Sequence, residues 1–490
     1  MINPQHSLMH KIMPVLLLMA CAGTASAADD ALPEPGPVRK VAVPVAQEKT
    51  LANGLHVVVA KRTATPLVSV ALSLRSGAEV DPPQLAGLTS MTAGLLDKGT
   101  TTRSAPQIAE AADALGGSLA TSAGFDQAQA SITVTTPKLD TAVALLADVA
   151  RHPAFAQEEI DRQRKRMLDS LRVALSQPGS LARLVAARAA YGDGAYGHSS
   201  AGTPASLPRI QRADIVKLHE TYYRPDNAVL VFAGDIDLER AVQLATQSFG
   251  DWKKPAQALP KAPTAQGKSA LAATVIVDLP GTGQAAVTAV HPGIARDAPD
   301  YYPGLVANAV LGGGYSARLN EEIRIKRGLS YGAGSALDTR RRGGSFGGSA
   351  QTKNPSAPEV VGLVLGEFDR LGKTAPDAAE LSARKATLSG NFGFTLETTR
   401  GLLNEISALA IYNLPQDELA HFFDRVQAVS ADQVRAFAAT HLAHNGTTVI
   451  VAGDAKQFAA ELAKRDPNVA NYTASSLDLD RADLRAAPAK

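Results

Sequence analysis

Apolar residues along this chain follow two periods, and the order in which they alternate predicts the architecture. Period-two or continuous apolar runs of strand length occur at 56–60, 67–76, 118–122, 127–136 and 228–233. An Asn53-Gly54 turn precedes the first, and 56–60 with 67–76 reads as a hairpin that opens a sheet. Helical spacing marks 85–96, 101–115, 137–149, the long charged stretch 157–175, the alanine-rich 180–191, then 214–223 and 238–249. Ser104 and Pro106 signal the start of the second helix, and Gly116-Gly117 stop it.

A run rich in Pro and Lys at 252–267 then breaks the pattern. Beyond it the order resumes, with strands at 273–278, 285–291 and 345–352 and helices at 301–311, 357–371, 375–388, 398–412 and 416–428. The two halves repeat each other. ADIVKLHETYYRPDNAVLVFAGD at 213–235 matches ADQVRAFAATHLAHNGTTVIVAGD at 431–454 in helix, turn, strand and terminal Gly-Asp. The repeat predicts two similar α+β domains, at 46–252 and 271–466, joined by a linker at 253–270. The stretch 467–490 is polar and is expected to be loosely ordered.

Composition removes some functions and adds a location. A chain of 490 residues with net charge +2 and 5% aromatics carries neither the basic field nor the stacking surface of a nucleic-acid binder. Residues 1–27 have Lys11, an apolar run and the small-residue exit Ala25-Ser26-Ala27, which reads as a secretory signal cleaved after Ala27. The extended lead-in 28–45 follows, and the mature chain is expected in the periplasm or outside the cell. Cys21, the single cysteine, closes the apolar run as in a lipoprotein box. Acylation there is the alternative, and the only route to a membrane. Either way the chain has no internal disulfide and no cysteine metal site.

One segment gathers unusual chemistry, LGGGYSARLNEEIRIKRGLSY at 311–331. Gly312, Gly313 and Gly314 permit positive φ and close backbone approach. A short amphipathic helix is expected over 315–326, with Leu319 and Ile323 on its apolar face and Arg318, Glu321, Glu322 and Lys326 on the others. Gly328 ends it and a strand begins. Arg324 and Tyr331 then flank a helix-to-strand turn, where a guanidinium and a phenol facing one cleft would suit a carboxylate or a developing oxyanion. From these residues alone, a capped helix with a surface ion pair is the simpler reading.

The duplicated halves, the YYRPDNAVLVFAGD closure and the 311–331 segment together resemble the pitrilysin and insulinase family of metallopeptidases, in its processing-peptidase-like branch. The similarity runs from about residue 41 to 464. It implies an α+β fold of two homologous α/β-sandwich domains, each a mostly antiparallel sheet packed with helices, forming half of a clamshell. That family carries H-x-x-E-H on a helix of its first domain, with a glutamate further on completing the zinc site. The matching helix here, GLTSMTAGLLDKGT at 87–100, keeps the flanking Gly87-Leu88 and Lys98-Gly99-Thr100. Its histidine positions hold Ser90 and Gly94, its glutamate position holds Ala93, and the third-ligand position falls at Asp169-Ser170, with Ser170 in register. Other histidines are scattered; His441 and His444 alone have helical spacing, at a helix end where a cationic or hydrogen-bonding histidine favours the dipole. No metal site is expected in this chain.

The resemblance also implies what is kept. The family's substrate-binding arginine and tyrosine fall on Arg324 and Tyr331, and Gly312 to Gly314 resemble a shortened substrate-contacting loop, or serve only a tight turn. The expectation is a companion subunit, inactive alone, of a heteromeric zinc endopeptidase acting on unfolded peptides. Zinc would reside in a homologous partner. The alternative is a non-catalytic peptide-binding or scaffold protein of the same fold. An independent peptidase with a metal site elsewhere finds no ligand cluster to support it.

Overall fold

Apolar strands that sequence alone orders along the chain are ordered differently across the sheet. The computed structural model describes residues 43–443 and 445–485, so the signal segment, Cys21, most of the lead-in and His444 lie outside the described residues. The first sheet contains β1 (Gln47–Thr50), β2 (His56–Lys61), β3 (Leu67–Leu74), β4 (Ala120–Ala123), β5 (Ala128–Thr135) and β6 (Ala228–Gly234), in the order β1-β2-β6-β3-β5-β4. The Asn53-Gly54 turn does make a hairpin, but between β1 and β2; Gly54 takes φ +94 there and the Asn53 side chain accepts from the Leu55 amide at 3.1 Å. The hairpin expected between 56–60 and 67–76 does not form. β6 stands between them, parallel to β2 and antiparallel to β3. The reason is burial: all of AVLVFAG is enclosed, and a strand apolar on both faces belongs in the centre.

The second sheet contains β7 (Thr274–Asp278), β8 (Gln284–Gly293), β9 (Ala333–Arg340), β10 (Gly343–Lys353), β11 (Thr448–Gly453) and β12 (Ala470–Thr473), ordered β12-β7-β11-β8-β10-β9. It copies the first. β11 lies between a parallel β7 and an antiparallel β8, as β6 lies between β2 and β3, which is the repeat read from 213–235 and 431–454. Only the outer strands differ. β1 pairs antiparallel with β2, whereas β12 pairs parallel with β7. β12 comes from the stretch expected to be loosely ordered, so that expectation is corrected. Tyr472, Leu479 and Leu484 are buried, and the Thr203 hydroxyl of the first half donates to Asp480 at 2.7 Å. Apolar residues spaced too widely to form a period anchor this tail.

Helices cover the sheets, and two of them change sides. The first half supplies α1 (Leu88–Ala93), α2 (Ala105–Ala114), α3 (Leu139–Arg151), α4 (Gln157–Leu175), α5 (Pro178–Tyr191), α6 (Arg212–Tyr222) and α7 (Leu238–Phe249). One face of β2, β3 and β6, including Val59, Val70 and Phe232, packs on residues of these helices such as Leu145 and Leu244. α5 does not join them. Its Leu181, Val185 and Ala189 pack on Val275, Val277 and Ile450 of the second sheet.

The second half reciprocates. It contributes α8 (Tyr301–Leu311), α9 (Arg318–Asn320), α10 (Ala357–Lys373), α11 (Ala378–Glu397) and α12 (Thr399–Tyr412), among others. α8 and α10 cover their own sheet through Val306, Val310, Val360 and Val364. On α12, Leu402, Leu403 and Ile406 instead close the remaining face of the first sheet, against Val58, Val229 and Val231. Each sheet is thus buried on one side by its own half and on the other by a helix of its neighbour. Among the described residues no helix is long and apolar enough to cross a membrane.

The turn between β9 and β10 adds a polar lock between the halves. The Arg341 guanidinium donates to the Arg75 and Asp126 carbonyls, each at 2.8 Å, and lies 3.7 Å from the buried Glu79 carboxylate. The Arg340 guanidinium sits 4.0 Å over the Phe125 ring. Burial pushes the Glu79 carboxyl up to about 7, with the Gly77 amide and Arg341 pulling the other way. A carboxyl raised in the folded state from 4.5 to about 7 is neutral where the unfolded chain already ionises. Its contribution to stability is therefore complete below about pH 4.5 and is lost as pH rises to about 7. Against Glu79→Gln, which keeps the neutral shape, the wild type should lose up to about 3 kcal/mol of stability across that window, at ~1.4 kcal/mol per pK unit. Thermal midpoints of the two proteins compared at intervals between pH 4.5 and 7 read the difference directly.

Candidate functional site

The helix that would carry zinc ligands is set firmly in place. Gly87 enters α1 at φ +92, and the buried Asp81 carboxylate accepts from the Gly87 amide at 3.0 Å and the Thr89 amide at 2.9 Å. These bonds satisfy amides that a helix start leaves unpaired. From this start, Ser90 turns its hydroxyl to the Ser200 carbonyl at 2.6 Å, and Ala93 is buried. Gly94 faces α4, where the Gln163 Nε2 lies 2.7 Å from the point a Cβ would occupy. Gln163 would have to swing away before any side chain could stand at 94.

Ser90 and Ser170 line one cavity of about 660 Å³, bounded mainly by α4, α5 and the 198–201 loop. The structure therefore brings to one wall two positions that the family resemblance would give to metal ligands. Their chemistry does not fit zinc. A hydroxyl, a methyl group and a bare backbone replace two imidazoles and a carboxylate, and Ser170 adds only a second neutral hydroxyl. Asp169 points elsewhere, pairing with Arg172 at 2.9 Å on an exposed face. No cluster of three or more His, Cys, Asp or Glu suited to a metal occurs among the described residues. His441, expected at the helix end as a cationic or hydrogen-bonding group, packs its ring 4.5 Å from that of Phe437, and burial lowers its pKa.

The 311–331 segment differs from its sequence reading in three ways. Its helix begins at Arg318 rather than at 315, because the Ala317 amide turns back to the Gly314 carbonyl at 3.1 Å and the Arg384 guanidinium holds Ser316. It then widens into a π-turn at Glu321–Ile325, with the Lys326 amide reaching the Glu321 carbonyl at 2.9 Å. Leu319 and Ile323 are fully buried as the periodicity requires. Arg318 is not on the surface: it is buried and makes a two-pronged pair with Glu380 at 2.8 and 2.6 Å.

The glycines divide by role. None of the three adopts positive φ. Gly312 is required by close approach, since a Cβ there would stand 2.2 Å from the Ser335 amide of β9, and Gly313 crowds Ala309 at 2.8 Å. Gly314 has open space around it. Of the three it alone is unexplained by packing.

Arg324 lies inside the π-turn, half-buried, with its guanidinium 4.9 Å from the centre of the Tyr315 ring and no ion pair among the described residues. Tyr331 is 88% exposed. No hydrogen bond or ring contact joins Arg324 to Tyr331 among the described residues. The shared cleft anticipated for them is not formed among the described residues: Arg324 sits in the π-turn, and Tyr331 stands exposed, as does Tyr315 at 65%, on the loops either side of that helix. Asn320 steadies those loops by binding the Tyr315 carbonyl and accepting from the Ala333 amide at 3.1 Å. Sequence reasoning missed Tyr315 as the partner of Arg324 and Gln163 as the group against Gly94. For Gln163 a signal existed: it precedes Ser170 by two helical turns, on the same face of α4.

Comparison with known proteins agrees with this geometry. Residues 56–203 match the description of the insulinase family, peptidase family M16, and residues 209–388 match the M16 inactive domain. A Streptomyces coelicolor protein named as an uncharacterized zinc protease is 29% identical over 394 residues, which is 79% of this chain and 85% of that protein. A Bacillus subtilis protein of the same description is 22% identical over 392 residues, 79% of this chain and 94% of its own length. The crystal structure of a peptidase M16 inactive domain from Pseudomonas fluorescens superposes with a TM-score of 0.77 at 28% identity, covering 83% of this chain and 98% of that one. A protease from Helicobacter pylori, at 21% identity and TM-score 0.77 over 84% of this chain and all of its own, shares the fold. With the family's two domains matched in sequence order and a duplicated fold to carry them, the chain belongs to peptidase family M16, the insulinase family.

Proposed function

We propose that this chain is the zinc-free companion subunit of an exported, heteromeric zinc endopeptidase acting on unfolded peptides. It supplies Arg324 and Tyr331, and a homologous partner supplies the metal. The observation that carries this reading is the contrast between the two halves. Ser90, Ala93, Gly94 and Ser170 leave no donor set for zinc, while Arg324 and the exposed Tyr331 are committed to no ion pair among the described residues. A guanidinium and a phenol held outward suit a peptide carbonyl and the charge that develops on it during hydrolysis.

The test is reconstitution with the zinc-bearing homologue. Neither chain alone should cleave an unfolded peptide, the mixture should, and zinc should be found at one per pair, held by the partner. Cleavage by this chain alone, or one zinc bound per isolated chain, would sink the proposal. A second reading, a peptide-binding protein without catalytic part, has its own support. Among the described residues β4 is an edge strand bonded only to β5, and its last residue, Ala123, lines the cavity beside Ser90. An extended peptide can add to such an edge. Under this reading the mixture binds peptide and cleaves nothing.

A further inference from the structure

The cavity beside Ser90, about 660 Å³ in volume, is lined by cationic rather than acidic side chains. Its lining contains no aspartate or glutamate, but it does contain Arg166 on α4 and Arg183 on α5. Neither guanidinium is in an ion pair among the described residues. Arg166 donates to Gln163 at 2.6 Å and Arg183 to the Ser180 hydroxyl at 3.0 Å, which leaves most of their donors unused. Deeper in the wall is His198, 5% exposed, whose Nε2 has no hydrogen-bond partner and whose pKa burial lowers to about 4. The rest of the wall mixes apolar residues, Phe125, Leu171 and Leu184 among them, with small hydroxyls such as Ser170 and Ser199.

We infer that this cavity is a receptor for the C-terminal residue of a peptide, an apolar side chain against the Phe125 and Leu184 wall and its free carboxylate on Arg166 and Arg183. Three features converge on that ligand. Two uncompensated guanidiniums select a carboxylate, and their planar donors match its two oxygens. A volume of about 660 Å³ with an apolar side at Phe125, Leu171 and Leu184 takes a large side chain, whereas a bare anion site would be small and polar throughout. Ala123 places at the cavity the edge of β4 that is unpaired among the described residues, so the residues preceding the C-terminus have a strand to pair with. A site built this way holds ends of peptides rather than their middles. The inference concerns this chain alone and stands whether or not it serves a zinc-bearing partner.

The experiment uses the isolated chain and no partner, so its failure is separate from failure of the companion reading. Fluorescence anisotropy would compare an N-terminally labelled unstructured peptide ending in leucine as the free acid with the same peptide as the C-terminal amide. The acid should bind at least about tenfold more tightly, since the amide forfeits the charged partner of two guanidiniums. In the double variant Arg166→Gln/Arg183→Gln the preference should disappear, with acid and amide binding alike. Both arginines are exposed, so the variant should keep the wild-type thermal midpoint. Replacing the terminal leucine by aspartate should weaken binding through loss of the apolar contact. Equal binding of acid and amide by the wild type, an undiminished preference in the double variant, or displacement of the peptide by decanoate at lower concentration than by the unlabelled peptide would each overturn the assignment.

Discussion

Replacing Arg324 by alanine should lower kcat of the proposed two-chain peptidase by about 10²- to 10³-fold, the loss typical when one preorganised donor to a developing oxyanion is removed. The expected selectivity of the effect follows from where the side chain stands. Arg324 has no ion pair among the described residues, and its one ring contact is to Tyr315, itself 65% exposed. Removing it should leave the thermal midpoint of this subunit nearly unchanged, so a lost rate cannot be a lost fold. Arg324→Lys should recover only part of the rate, because an ammonium keeps the charge without the planar fork. Tyr331→Phe should cost less than Arg324→Ala, since it deletes a single hydroxyl from a residue 88% exposed. The rate of the mixture, measured with each variant against the same zinc-bearing partner, decides the matter. An unchanged kcat for Arg324→Ala would leave the pair without a catalytic part.

How much of this was legible in the sequence depends on whether the signal was local. Gly87-Leu88 and Lys98-Gly99-Thr100 give the expected register of the zinc helix from both sides, and Ser90 of α1 and Ser170 of α4, the positions the resemblance names, line one cavity. The buried Arg318 was not legible. Its spacing puts it off the Leu319 and Ile323 face, and only Glu380, far along the chain, makes its burial tolerable. At Gly312 the sequence offered two uses, positive φ and close backbone approach, and the structure takes the second, letting β9 approach. Helix 157–175 was read to the residue from its charge and periodicity, because a helix is a local object. The place of β6 between β2 and β3 was not, because it depends on which strand can be buried on both faces. Nor was the exchange of α5 and α12: an apolar stripe on a helix says that it will be covered and does not say by which half.

That exchange leads to the largest expected effect on stability. Ile406 on α12 is fully buried against the first sheet, beside Val229 and Val231, although by sequence it belongs to the second half. Ile406→Ala should cost about 2–5 kcal/mol, the transfer free energy of the lost carbons plus the cavity left behind. Where that loss is felt distinguishes an interlocked molecule from two adjacent domains. The single tryptophan, Trp252, lies in the first half with its ring 5.9 Å from that of Phe249, and so reports on the first sheet's own helices. If α12 is part of the first core, denaturant unfolding of Ile406→Ala followed by Trp252 fluorescence should shift to lower midpoint as far as unfolding followed by far-ultraviolet circular dichroism. A Trp252 transition that stays at the wild-type midpoint while the dichroism moves would mean the halves unfold independently and α12 adds little to the first sheet. The reciprocal change, Val185→Ala on α5, should act the same way from the other side: the residue is numbered in the first half, its contacts are with the second sheet, and its loss should lower both signals together.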